Sequence, residues 1–116
     1  ATVENIPIKV AILNNSWLGM VRQWQEMFYD ERYSEVYLDQ ALPDYVKWAE
    51  AMGCVAIRVE SAEEVEPAIR KANEVNDRPV VVEFRVDPAE KVFPMVAAGQ
   101  SNSDIMVDPS QEDQPR

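Results

Sequence analysis

Histidine is absent from the chain. Any proton transfer from this segment therefore falls to a carboxylate, a tyrosine or a bound cofactor. Cysteine occurs once, at Cys54 beside an apolar run, which excludes an internal disulfide and fits a reducing cytoplasm; a buried structural thiol is expected there. Positive charge is scarce. Eleven Lys and Arg against 21 Asp and Glu leave a net charge of −10, which argues against DNA or RNA as the main partner, because phosphate binding needs a basic stripe. No apolar run is long enough to span a bilayer, and no internal repeat is visible. Ala1-Thr2-Val3-Glu4-Asn5 has neither a basic n-region nor an initiator Met, so no signal peptide is seen. These first residues read as the tail of a helix, and the natural chain is expected to be longer. At 116 residues the sequence amounts to one domain or a fragment of one. A chain of that size typically buries roughly 65% of its unfolded surface, enough for a single core.

Three apolar runs read as strands: Ile8–Leu13, Val55–Val59 and Val80–Val86. Nearly continuous apolar runs predict strands buried on both faces of a parallel sheet. Between them lie helical patterns. From Leu18 to Tyr29 the residues Met20, Val21, Trp24, Met27 and Phe28 recur at helical spacing. Pro43–Met52 starts with a proline near its first turn and stops at Gly53. Ser61–Val75 opens on a capping-box pattern, Ser61 with Glu64, and contains Pro67, which allows a kink or a later start. The order β-α-α-β-α-β predicts an α/β layered sheet with right-handed crossovers. Acid concentrates in the Ser61 helix and the C-terminal tail, both read as solvated surface. The division expected is 1–98, the folded part, and 99–116, a flexible polar tail in which Ile105, Met106 and Val107 are candidates to dock.

The chemistry concentrates in Asn14–Ser34, NNSWLGMVRQWQEMFYDERYS. In open α/β sheets ligands bind beyond the carboxyl ends of the strands, where Asn14 and Asn15 stand. An Asn oxygen is a neutral, hard ligand suited to Mg²⁺, which usually needs a carboxylate, water and phosphate oxygens besides. Free N–H groups at the start of the Leu18 helix, with Gly19 allowing close approach, favour a phosphate. On spacing alone, Asn-Asn ending a strand and capping a helix outweighs the metal site. Trp24, taken alone, reads as core. Arg22 and Gln23 read as surface or partner contacts, Asp30-Glu31-Arg32 as a salt-bridging helix end. Nothing local activates Tyr29 or Tyr33.

The whole stretch carries more than its parts. IKVAILNNSWLGMVRQWQEMFYDERYS, with GMVRQWQ, Phe28-Tyr29 and Arg32-Tyr33-Ser34 as its signature, closely resembles the C-terminal thiamine-diphosphate-binding domain of acetolactate synthase (acetohydroxyacid synthase) large subunits. Further likeness runs through Pro43–Gly53, Arg78–Asp87 and Val92–Gly99, so it covers roughly residues 1 to 105. The fold it implies is the C-terminal portion of a three-layer sandwich with a mainly parallel sheet, the thiamine-diphosphate-binding fold.

The resemblance also implies site roles. The Asn15 side chain and the Trp17 backbone carbonyl would ligate Mg²⁺, with the Leu18-Gly19-Met20 turn against the cofactor. Trp24 would line the substrate pocket and favour 2-oxobutanoate over pyruvate as acceptor; Met20 and Val21 would flank the same channel, where herbicides of this class bind. The implied reaction removes CO₂ from pyruvate and joins the two-carbon unit to pyruvate or 2-oxobutanoate, in branched-chain amino-acid synthesis. The cofactor leads, and the protein supplies orientation and a dry pocket. No catalytic side chain is assigned in this segment. The activating glutamate belongs to an N-terminal domain, FAD to a middle domain, and the Gly-Asp motif that supplies the third Mg²⁺ ligand lies upstream. The fragment alone is therefore expected to be inactive. Implied partners are a second large subunit, in a homodimer or tetramer, and a regulatory small subunit, in the cytoplasm. Ala97-Ala98 stand where relatives often carry prolines, a departure that leaves the course of the tail unassigned. Two readings stand beside this one: another thiamine-diphosphate carboligase or decarboxylase such as glyoxylate carboligase, and a non-catalytic interaction module that keeps the fold.

Overall fold

Strand β3 (Val80–Arg85) is the most enclosed element among the described residues; Val80 is 0% exposed. The structure, a computed structural model, describes residues 1–108. β-Branched residues suit a covered, pleated surface, and β3 is paired along both edges. Strands β1 (Lys9–Asn14) and β2 (Val55–Val59) flank it in a three-stranded parallel sheet of order β1-β3-β2. The register sets Lys9 and Val55 opposite Val80, Arg58 opposite Glu83, and Asn14 opposite Arg85. Because all three strands run the same way, Asn14, Arg58 and Glu83 come together at their carboxyl ends.

Helices α1 (Gly19–Phe28), α2 (Tyr45–Ala51) and α3 (Ala62–Glu74) complete the predicted order. Strand β2 spans the residues predicted for it. Helix α2 starts after Pro43, because Asp44 caps it: the carboxylate accepts from Val46 N–H (3.1 Å) and Lys47 N–H (3.2 Å). It ends where Gly53 takes φ +78°, with Gly53 N–H donating to Glu50 O (2.9 Å) and Cys54 N–H to Ala49 O (3.0 Å), the Schellman pattern. Helix α3 runs through Pro67 unbroken. The Glu64 carboxylate closes its first turn, accepting from the N–H groups of Glu60 (2.8 Å) and Ser61 (3.2 Å).

The core lies between α3 and the sheet. Ala68 and Ala72 pack with Val59, Val80 and Val82, and Val55, Ile57, Val75 and Phe84 close around them. Small helical residues let α3 approach the valines, whose full burial contributes roughly 1.5–3 kcal/mol each. Alternation along β3 sends Val81 and Glu83 to the other side. There Arg58 links Glu83 to Asp44 at the start of α2.

Three expectations are corrected. Strand β1 is not buried on both faces: Ile8, Val10 and Leu13 are exposed, Leu13 at 73%. It pairs only with β3, and α2 and α3 pack on β2 and β3, with no helix covering β1 to that extent among the described residues. Cys54 is half-buried rather than enclosed, with Thr2 Oγ1 at 3.9 Å from its sulfur. Gln23 is not a surface residue but 3% exposed. Its amide holds residue 92 at both ends, accepting from Val92 N–H (2.8 Å) and donating to Val92 O (3.1 Å). Lys91 also pairs with Glu26 of α1. Of the predicted tail, residues 99–108 fold back so that Met106 bridges Met95 (N–H···O 2.8 and 3.0 Å), while 109–116 lie outside the described residues.

Candidate functional site

Where β1 stops, two consecutive asparagines turn the chain into α1. Asn14 is 7% exposed, and its side-chain oxygen accepts from Ser16 N–H (3.0 Å). The Asn15 side-chain oxygen accepts from Trp17 N–H (3.0 Å). These are successive Asx turns, the local bond that Asn side chains form two residues on. Between them Ser16 takes φ +63°, a left-handed conformation uncommon for a residue with a Cβ. Its hydroxyl donates to Asp39 (3.0 Å), so the turn is held from both sides.

The loop then pairs with the segment around Tyr37. Leu18 N–H donates to Val36 O (2.9 Å) and Leu38 N–H to Ser16 O (2.8 Å). In this antiparallel bridge Trp17 and Tyr37 form the non-hydrogen-bonded pair, so the N–H and C=O of Trp17 itself point away from Tyr37. The carbonyl thus faces the side on which the Asn15 oxygen already receives the Trp17 N–H. No N–H or O–H among the described residues bonds that carbonyl. The Trp17 ring is engaged elsewhere, 4.9 Å from Tyr37 and 5.6 Å from Tyr33, with the Arg22 guanidinium 4.8 Å from its centre. Backbone and ring therefore do separate jobs. Asn14–Trp17 line two clefts of ≈110 and ≈210 Å³, the first shared with Leu38, Leu42 and Tyr45, the second with Tyr37, Asp39 and Arg85.

Two neutral, hard oxygens, from Asn15 and Trp17, suit Mg²⁺ in kind but fall short of it in number. Among the described residues no group of three His, Cys, Asp or Glu side chains stands ready to hold a metal ion by itself. The donor set fits Mg²⁺ only as part of a shell completed from elsewhere. Gly19 contributes by what it lacks: a Cβ there would meet the Asn15 amide nitrogen at 3.1 Å. The close approach that the sequence assigns to a phosphate is made by Asn15 itself. Gly19→Ala is expected to move the Asn15 amide by a few tenths of an ångström and to weaken any Mg²⁺ bound there by up to about tenfold, at the low end of the range for groups that orient ligands. Mg²⁺ titration of the full-length variant checks this.

Leu18 and Gly19 adjoin the loop, and Gly19 opens α1. Met20, Val21 and Trp24, with Phe28, form one contiguous face of α1. Met20, Val21 and Phe28 are exposed, while Trp24 lies half-buried with its ring 4.9 Å from Phe28. The inward side of α1 carries Gln23.

Sequence reasoning missed Glu83, read only as part of an apolar strand. It is 1% exposed and accepts from Asn14 Nδ2 (2.6 Å), Arg58 Nε (2.8 Å) and Arg85 Nη1 (3.4 Å). Burial pushes its carboxyl up, but these three donors hold it below the ordinary glutamate value. Arg58 also binds Asp44 (2.8 Å), and Arg85 lies 3.9 Å from Asp39. The signal was available: an acid amid valines in VVVEFR must find partners, because a buried lone charge is too costly. Asp39 was missed too, and its hydrogen bond from Tyr37 raises that tyrosine's pKa.

Residues 1–84 match the family described as thiamine pyrophosphate enzyme, C-terminal TPP binding domain. The chain is 58% identical over 108 residues to the acetolactate synthase large subunit of Corynebacterium glutamicum, covering 90% of this chain. It is 57% identical over 106 residues to acetolactate synthase of Mycobacterium avium, covering 89%, and 36% identical over 113 residues to the large subunit of Haemophilus influenzae, covering 97%. It spans 17% of the length of the first two relatives and 20% of the third.

Proposed function

The chain belongs to the thiamine pyrophosphate enzyme family as a C-terminal TPP-binding domain, and from that premise we propose that it forms this part of an acetolactate synthase large subunit. The observation that carries the reading is the Asn15–Trp17 loop, with its two oxygens turned to one side at the carboxyl end of β1 and the start of α1 just beyond. Asn15 and Trp17 would hold Mg²⁺, and Leu18, Gly19 and Met20 would lie against thiamine diphosphate. Bound there, the cofactor would supply the electron sink for decarboxylating pyruvate. The protein's own part is to orient the diphosphate through the metal and to present an apolar wall of Met20, Val21 and Trp24 to the 2-oxo acid. In this reading no general base is assigned to the segment, and the activating glutamate and the FAD site belong to other domains. Helices α2 and α3 engage alternate sides of β3, which supports the three-layer sandwich. A homodimer or tetramer in the cytoplasm, with a regulatory small subunit, completes the proposal. Among the described residues, no helix is long and apolar enough to cross a membrane.

Full-length protein given pyruvate, Mg²⁺ and thiamine diphosphate is expected to release CO₂ and form acetolactate. Consumption of glyoxylate in place of pyruvate would favour the glyoxylate carboligase reading. Trp24→Leu is expected to lower the preference for 2-oxobutanoate over pyruvate by about 10-fold, the scale on which an apolar pocket resolves one methylene. Product ratios at equal substrate concentrations measure it, and an unchanged ratio removes Trp24 from the pocket.

A further inference from the structure

A buried acid at the heart of an apolar strand calls for a reason. Glu83 sits on the central strand at 1% exposure, where a hydrophobic residue of similar volume is often as stabilising as a buried ion pair. Charge balance does not require it, since Arg58 has Asp44 at 2.8 Å and Arg85 has Asp39 at 3.9 Å. What an apolar residue would not supply is an acceptor for Asn14.

That acceptor decides which way the Asn14 amide faces. A carboxylate accepts only, and a backbone N–H donates only. With Glu83 Oε1 at 2.6 Å from Asn14 Nδ2, the amide oxygen is turned to Ser16 N–H at 3.0 Å. Flipping the amide would set oxygen against carboxylate and NH₂ against N–H. Glu83 thus selects the one orientation that holds Ser16 at φ +63°. A left-handed non-glycine residue is strained and persists only where its surroundings over-determine it. The residues on either side of Ser16 complete the turn, Asn15 Oδ1 accepting from Trp17 N–H on the side to which the Trp17 carbonyl faces.

We propose that Glu83, acting through Asn14, is a positioning residue for the metal-binding face of the Asn15–Trp17 loop. The inference rests on the functional reading above and deepens it. The link spans 69 residues of sequence, joining the end of β1 to the centre of the sheet through one side-chain amide.

The test uses the full-length protein with thiamine diphosphate and Mn²⁺ as probe, bound metal being read by electron paramagnetic resonance and folding by thermal melts. Glu83→Met and Asn14→Ala are each expected to weaken Mn²⁺ binding by about 10–100-fold, the range for groups that orient a metal ligand. The double variant is expected to lose no more than the worse single one, because both break the same link. Glu83→Gln, which restores an acceptor for Asn14, is expected to recover most of the affinity. Arg58→Met breaks two salt bridges, to Asp44 and to Glu83, the latter being Glu83's other strong contact, and is expected to lower the melting temperature while leaving Mn²⁺ affinity within about twofold. Wild-type affinity in E83M, or an equal loss in R58M, would overturn the proposal while leaving the functional reading in place. A wild-type protein that binds no Mn²⁺ would overturn both. If E83M does not fold, N14A, which leaves Glu83 with both arginines, carries the same test: wild-type affinity there overturns the link.

Discussion

Asn15→Ala, placed in the full-length protein, is expected to weaken Mg²⁺-dependent retention of thiamine diphosphate by more than roughly 100-fold, since losing groups that merely orient a ligand already costs roughly 10–100-fold. The side chain has two duties in the proposed site. Its oxygen is one of two neutral donors the segment offers, and it also accepts the Trp17 N–H at 3.0 Å. Alanine removes both, and of the proposed pair leaves only the Trp17 carbonyl, which the backbone bridge to Tyr37 still aims. The β1–β3 ladder and the Leu18–Val36 bond use backbone groups only and are expected to survive. The effect should therefore appear in calorimetric titration with thiamine diphosphate and Mg²⁺, with little change in circular dichroism. Titration without Mg²⁺ is the control: variant and wild type should then bind equally weakly. Undiminished Mg²⁺-dependent binding would remove Asn15 from the metal shell.

Val80→Asp is the change expected to damage the fold most. Val80 is fully enclosed, opens the central strand, and donates its N–H to Ile8 O at 2.9 Å. Its neighbours are Val59, Ala68, Ala72 and Val82, none of which offers a hydrogen bond from its side chain. A carboxyl there has no partner, unlike Glu83, three positions along the same strand, which has three donors. The expected loss exceeds about 4 kcal/mol, the tail of point-mutant effects that buried unpaired charge produces. Val80→Ala, which removes only two methyl groups and leaves a small cavity, is expected to cost about 2–3 kcal/mol. Soluble yield and urea midpoints of the two variants in the full-length protein measure the contrast. A V80D protein as stable as V80A would mean that this core is wet.

The contrast between Val80 and Glu83 also marks where reading the sequence reaches its limit. VVVEFR is legible as a strand from its β-branched run, and its boundary with the preceding turn follows from Asn76-Asp77-Arg78-Pro79. That Glu83 would be satisfied, and by which residues, was not legible. Its partners come from β1, β2 and its own strand, and only the order β1-β3-β2 and the register opposite Arg58 bring them within 3.4 Å. Helix α1 carries the same lesson. The spacing of Met20, Val21, Trp24 and Phe28 declares a helix with an apolar face, but amphipathicity alone does not say which face meets protein. The structure turns Gln23 inward on to Val92 and leaves much of the apolar face open.

What the sequence by itself determined is local and periodic. The order of strands and helices, the stop at Gly53, the Glu64 cap and the resemblance carried by GMVRQWQ all depend on residues within a turn or two of one another. Backbone geometry at that range follows from side-chain shape and short hydrogen bonds. Only the tertiary structure decided the exposure of β1, the inward face of α1, and the contacts from Glu83 through Asn14 to the Asn15–Trp17 loop. Those depend on which distant segments become neighbours, and a hydrogen bond across 69 residues leaves no period in the sequence from which to read it.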